Sequence, residues 1–448
     1  MNPAIDFYHS LLTPDIAEAS HVMLEEQLRA RGLIFGERAL ATVLRPRLMS
    51  PEQLGLLERR VVAITRAFRK AGEAAVRDSA LRAQLRLADW EEELMRDEPG
   101  FRAASPSSRL DGFLMEDAGT FALTEYNAET PAGAAYNDAL TDAFADLPVM
   151  RAFARHYVVR PLPARHHVGH ALLEAWHQFS GRHALPRVAI VDWDDVPTRT
   201  EFVLFQEYFR GLGMSCEITT PQALEYRRSQ LTGPAGPIDV VYKRVLIHEL
   251  VERFGLQHPL IRAVRERAVC MVNPFRCKIL HKKASLAVLS DERNAGLFDA
   301  ADQAAIAAQV PWTRVVEDRA TVHNGSKVDL LPFIGANQAR LVLKPNDDYG
   351  GAGIVLGWTV NAEEWRQGIA RALSEPYIVQ QRVPIPSEPY PSLVDGSVHI
   401  LDRMLDTAPF VVHGEYMEGL LTRLSTAALL NVTAGGGSTV PTFVIEKR

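Results

Sequence analysis

Two stretches of the chain place charged side chains beside flexible backbone at spacings that chemistry uses. The first is residues 341–357, LVLKPNDDYGGAGIVLG. An apolar run ends on Lys344, then come two acids, Tyr349, and the glycines Gly350, Gly351 and Gly353, and a second apolar run follows. Two β-like runs around a glycine-rich turn predict a hairpin. A lysine at the end of a buried strand is costly unless an anion meets it. Glycines let backbone N–H groups close on such an anion without Cβ clashes. A nucleotide polyphosphate is the simplest anion that accounts for both features. The spacing matches neither G-x-x-x-x-G-K-[ST] nor G-x-G-x-x-G before a helix. A plain hairpin with a snorkelling lysine would carry the same residues.

The second stretch is residues 109–127, RLDGFLMEDAGTFALTEYN. Two alternating runs flank the turn Asp117-Ala118-Gly119, a hairpin signal. Strict alternation places Asp111, Phe113 and Met115 on one face of the first strand, and Phe121, Leu123, Glu125 and Asn127 on one face of the second. The oxygens of Asp111, Glu125 and Asn127 then converge at one end of the pair. Such hard donors suit Mg²⁺, with water and phosphate oxygens completing the octahedron. Arg109 lies on the same side and can reach a terminal phosphate. Polar side chains at an exposed strand end are the plain alternative.

Other polar residues are weaker pointers. The expected helix over 277–290 carries Lys278, Lys282 and Lys283, any of which could reach a phosphate. The strand PYIVQQRVP (376–384) could hydrogen-bond an adenine through its backbone. Arg423 and Asn431 stand in otherwise apolar strands, and a buried arginine wants a bidentate anion. His166, His170 and Glu174 recur every fourth residue and could line one helical face, with no HExxH motif in support.

The elements that must position these residues follow from pattern. Residues 14–30 and 51–98 have helical periodicity, with Leu56, Leu57, Val61, Ile64 and Phe68 on one face. Residues 186–244 alternate strand and helix, with helices at 198–212 and 221–231, which predicts a small α/β unit with a parallel sheet. At 448 residues the chain is long enough for several lobes around a large core. A net charge of −6 gives no reason to propose nucleic acid or an anionic membrane as partner. No apolar stretch approaches membrane-spanning length, and the first residues do not read as a signal segment. Three cysteines without a CxxC pair fit a reducing compartment. The expected location is cytoplasmic.

Five motifs occur in order: TEYNAETPAG, NPFRCKILHKKASLAVL, LVLKPNDDYGGAGIVLG, YIVQQRV and GLLTRLS…LLNVTAGGGST. Together they resemble the circularly permuted ATP-grasp proteins, including the glutathionylspermidine synthetase-like group, from about residue 109 to the end. The resemblance implies a mixed α/β and α+β fold. Its expected divisions are an N-terminal helical region (1–108), a metal-ligand hairpin with helices of the ATP-grasp core (109–185), a pre-ATP-grasp-like α/β domain (186–257) and ATP-grasp lobes with a glycine-rich lid (258–448). It implies ATP and Mg²⁺, with Asp111, Glu125 and Asn127 as metal ligands and Arg109 and Arg423 at the phosphates. Lys344, Lys283 or Lys282, and the lid glycines Gly350, Gly351 and Gly353 would hold the nucleotide, and Gln380, Gln381 and Val383 would form the adenine hinge. The hinge reads Gln-Gln where many relatives read Gln-Glu. The implied activity is carboxylate–amine ligation through an acylphosphate on small-molecule substrates such as an amino acid or peptide. A catalytically inactive ATP-binding scaffold and a Rossmann-type oxidoreductase built on 186–244 are the other readings.

Overall fold

Helix Pro51–Arg77 begins where Ser50 and Gln53 cap each other reciprocally. Its buried stripe includes Leu57, Val61, Ile64 and Phe68, the face that periodicity predicts. That stripe packs in one core with Leu110, Leu114, Phe121, Leu123 and Tyr126. The computed structural model describes residues 3–35, 38–115, 119–347, 351–426 and 437–448. Gly350 and Asn431 lie outside the described residues, as do Asp117 and Ala118 of the expected turn.

The sheet under this helix runs through strands Ser387–Val394, Ser397–Leu405, Tyr416–Ser425, Ala408–Val412, Ser107–Met115 and Thr120–Asn127, and Ser438–Val440 adds to Tyr416–Ser425. Ser107–Met115 and Thr120–Asn127 pair antiparallel, with Asp111 opposite Glu125 but Gly112 opposite Leu123. Thr124 is therefore an extra residue, a β-bulge. The bulge corrects the expectation that Phe121, Leu123, Glu125 and Asn127 share a face. One added residue reverses the alternation, so Phe121 and Leu123 enter the core with Tyr126, while Thr124 and Glu125 line a cleft on the other side. Gly112 is required at this point, because a Cβ there would lie 2.5 Å from the Ala122 carbonyl oxygen.

A smaller antiparallel sheet faces the cleft, in the order Thr313–Val315, Tyr377–Gln381, Leu341–Pro345, Val355–Leu356. Val342 pairs with Leu356 and Leu343 with Val355, so the two apolar runs around the glycine segment do form a hairpin. A third sheet is parallel: Cys270–Val272, Val240–Lys243, Val188–Val191 and Cys216–Thr219. The expected helix at 221–231 is instead a short 3₁₀ turn, Pro221–Ala223, followed by the antiparallel strands Glu225–Arg227 and Gln230–Gly233. Arg228 and Ser229 make their turn with positive φ despite carrying side chains, so no glycine announced it.

The first hundred residues are not wholly helical. Arg47–Met49 pairs in parallel with Thr442–Lys447, which also pairs with Tyr157–Pro161. Among the described residues, no helix is long and apolar enough to cross a membrane.

Candidate functional site

Asp111 is the hub of the cleft. Its carboxylate is buried, and Arg109 donates to it through Nε (2.6 Å) and Nη2 (2.8 Å). Arg109 is held in turn by an Nη1 bond to the Ala132 carbonyl. Asn127, opposite Arg109 in register, donates from Nδ2 to Asp111 at 2.8 Å. Arg423 reaches Asp111 from the neighbouring part of the sheet through Nη2, at 2.9 Å. Burial alone would raise the Asp111 pKa, but Arg109 and Arg423 outweigh it and hold the carboxyl down at about 2. Glu125 is also held below the usual range: burial and Asp111 raise it, and Lys283, 3.0 Å away, lowers it by more.

The lysines separate. Helix Lys278–His281 ends at Lys282, whose ψ of 130° breaks the helical path before Ala284–Ser290 begins. The expected single helix over 277–290 is therefore two, and the break sends adjacent side chains in different directions. Lys283 goes to Glu125. Lys282 pairs with Glu91 and Asp347, each at 2.8 Å, in a buried charge network behind the cleft. The structure thus brings Lys283 to the predicted site and not Lys282. Lys344 donates to the bulge carbonyl of Thr124 (3.1 Å) and to Gln380 Oε1 (2.7 Å). Burial pulls its ammonium down to about 8, with Glu125 opposing and Lys283 adding to the fall.

These residues meet in a cleft of about 170 Å³. Its apolar lining is Phe113, Val342, Ile354, Leu356, Trp358, Val383 and Ile385. Its charged lining is Asp111, Glu125, Lys344, Arg382, Asp406 and Arg423. Gly351, Gln380 and Gln381 also line it. Gly351 and Gly353 both have positive φ, the conformation that glycine tolerates. Gly353 is not among the lining residues, but its carbonyl accepts from the Tyr377 hydroxyl. Gln380 is buried and committed, accepting from Lys344 and donating to Thr313, whereas Gln381 is exposed.

Sequence reasoning missed Thr124, Trp358, Arg382 and Asp406. The Arg382 guanidinium lies over the Trp358 ring, 4.1 Å from its centroid, and both residues line the cleft. Asp406 grips Arg423, accepting from its Nε at 2.6 Å and from its backbone N–H at 2.6 Å. Only strand register places these pairs together, so no local motif announces them.

The donor chemistry of Asp111, Glu125 and Asn127 fits a hard divalent cation such as Mg²⁺, since all three offer oxygen. In this structure Arg109, Arg423 and Asn127 satisfy Asp111. A cation would compete with those donors. The periodic set His166, His170 and Glu174 does not assemble: His166 and His170 both turn to Glu418, each 3.2 Å from it. Among the described residues the compact group of potential ligands is Glu129, His281 and Asp347. Lys278 sits 3.0 Å from Glu129 and 2.6 Å from Asp347, so this group already holds a cation in its own chain.

No protein-family model and no curated protein matches the sequence. Solved structures do. A glutathione synthetase-like effector from Globodera pallida superimposes with a TM-score of 0.60 at 13% identity, over 96% of this chain and 98% of that one. This chain shares that fold. A RimK-domain ATP-grasp protein from Sphaerobacter thermophilus aligns with 58% of this chain and 90% of its own at 17% identity, with a TM-score of 0.27. D-alanyl-alanine synthetase A from Vibrio cholerae aligns with 49% and 67% at 11% identity, with a TM-score of 0.25. These two low scores add nothing to the fold assignment.

Proposed function

We propose that this chain is an ATP- and magnesium-dependent carboxylate–amine ligase of the circularly permuted ATP-grasp kind, working through an acylphosphate. One observation carries the reading: the cleft combines an apolar lining with a dense set of charged groups, the two kinds of surface that a nucleotide's base and phosphates require. Around Asp111 and Glu125, the cations Arg109, Arg423, Lys283 and Lys344 outnumber the anions Asp111, Glu125 and Asp406 by one. A metal–triphosphate complex suits that balance.

In this reading the apolar lining receives the adenine, with the backbone beside Gln381 and Val383 as its polar edge. Lys344 and Lys283 contact phosphates, and Gly351 and Gly353 belong to a lid over them. Asp111, Glu125 and Asn127 would hold magnesium, which when bound neutralises charge on the transferred phosphoryl group. Arg109 and Arg423 position the terminal phosphate. A substrate carboxylate oxygen attacks the γ-phosphorus, its new O–P bond forming as the bond to ADP breaks. An amine then attacks the acyl carbon, and phosphate leaves as the amide forms and the nitrogen loses a proton. The protein's contribution is alignment and fixed charge in a site shielded from water.

The turn that anchors Arg109 is itself held by buried charge. Arg244 donates to the Pro131 carbonyl, and Glu201 accepts from the Gly133 N–H. Both side chains are buried, and neither Arg244 Nε nor Glu201 Oε2 has a hydrogen-bond partner. The two groups face each other as a buried ion pair, with Arg244 Nη2 3.8 Å from Glu201 Oε2.

The test is product analysis. Protein incubated with Mg-ATP and pooled amino acids, small peptides and polyamines is expected to release ADP and phosphate only when substrates are present. AMP with pyrophosphate would mean adenylation and would overturn the acylphosphate route. Bound Mg-ATP without substrate-dependent ADP across a broad pool is what a binding-only scaffold predicts.

A further inference from the structure

We infer that Asp406 is a positioning residue that aims Arg423 at the terminal phosphate, an inference that rests on the ATP-dependent reading above. Asp406 sits between strands Ser397–Leu405 and Ala408–Val412 and is 3% exposed. It holds Arg423 on both main chain and side chain. The Arg423 backbone N–H and Nε donate to its carboxylate, each at 2.6 Å, Arg423 Nη2 lies 2.5 Å from Oδ2, and the Asp406 N–H donates back to the Arg423 carbonyl at 3.1 Å. Few rotamers of a long side chain satisfy that set. The remaining reach of Nη2 is to Asp111, at 2.9 Å.

Arg423 is therefore shared between two carboxylates. Asp111 is the one that a metal–nucleotide complex would claim, because it lies in register with Glu125 and beside Asn127. Asp406 is the one that does not have to let go. With Asp406 in place, Arg423 keeps its position in the cleft lining when Asp111 is claimed, and its Nη2 is left for a phosphate. Without it, Asp111 is the single carboxylate partner left to Arg423 among the described residues, and Arg423 competes directly with the metal. Loss of Asp406 should therefore lower turnover and raise the magnesium concentration that turnover needs. A merely structural aspartate would not have the second effect.

The experiment is a double-mutant cycle on the full chain, read as substrate-dependent ADP formation. Asp406→Asn is expected to lower kcat about 10²-fold, the scale set by loss of one preorganised donor. The KM for ATP should stay near the wild-type value, and the magnesium requirement should rise. Arg423→Ala should lose a similar factor, and the double variant should be no slower than Arg423→Ala alone. Asp406→Glu should restore part of the rate. Losses that multiply in the double variant, or an Asp406→Asn enzyme that turns over normally at wild-type magnesium, would overturn the inference and leave the ligase reading standing. A wild-type protein that forms no substrate-dependent ADP would instead overturn the ligase reading, and this inference with it. If Asp406→Asn melts early, comparing Asp406→Glu in the wild-type and Arg423→Ala backgrounds decides the same question.

Discussion

Replacing Asp111 with asparagine is expected to reduce substrate-dependent ADP formation by about 10³-fold or more, the scale at which fixed-charge stabilisation is lost in such sites. Asp111 is the acceptor shared by Arg109, Asn127 and Arg423. Its carboxyl is ionised at neutral pH because the two arginines outweigh the cost of its burial. Asparagine keeps the shape and removes the charge, so it takes away the hard anionic ligand and frees both guanidiniums to collapse elsewhere. The fold should survive, since Arg109 keeps its bond to Ala132 and Arg423 keeps Asp406. A destabilisation of about 1–3 kcal/mol is expected from the three charge-assisted hydrogen bonds left weakened. Steady-state rates with circular dichroism check both parts. An Asp111→Asn protein within tenfold of the wild-type rate would remove Asp111 from the metal site.

The largest stability effect is expected at Glu129. This fully buried carboxylate lies 3.0 Å from Lys278 Nζ and 3.3 Å from Lys243 Nζ, and accepts the Ile247 N–H at 2.7 Å. Burial pushes its pKa up, and Lys278 and Lys243 pull it further down, to a value well below the usual carboxylate range. The lysines come from different elements: Lys243 ends a strand of the parallel sheet, and Lys278 begins the helix that leads to Lys283. Lys278 also holds Asp347 at the root of the glycine turn. Glu129→Gln leaves Lys243 buried with no carboxylate partner among the described residues. Breaking one side of a buried pair costs about 3–5 kcal/mol, and urea unfolding should show a loss of that size. Because the folded pKa is depressed, this stabilisation is present above the unfolded carboxylate pKa and is lost as pH falls towards the folded one. A loss under about 1 kcal/mol would mean that the network is not what joins these elements.

How much of this was readable in advance differs by feature. The spacing of Arg109, Asp111, Glu125 and Asn127 encodes their meeting, because antiparallel pairing with a short turn brings the far ends of both runs together. The same alternation misplaced Phe121 and Leu123, since nothing in FALTEYN marks Thr124 as the bulged residue. Lys344 and the glycine turn were legible because a charge ending an apolar run is an anomaly. The choice between Lys283 and Lys282 was not, because it depends on one non-helical ψ at Lys282. Asp406 and Trp358 join the cleft through strand pairing and hairpin closure, which have no short-range signature. Glu129 lies inside a motif that drew notice, yet its role depends on lysines 114 and 149 residues away.

The central claim, that this cleft binds Mg-ATP by its phosphates, is tested most directly by calorimetric titration of the wild-type protein with Mg-ATP from about pH 7 to about pH 9.5. Lys344 in the free site has a pKa lowered to about 8, and phosphate contact requires its protonated form. Affinity should therefore be full below that value and fall by up to about tenfold per pH unit above it, with Lys344→Arg flattening the curve because its charge persists. One-to-one binding with that decline is the predicted result. Absence of binding near neutral pH, or an affinity that ignores pH across this range, would contradict the assignment of Lys344 and the cleft to the nucleotide phosphates.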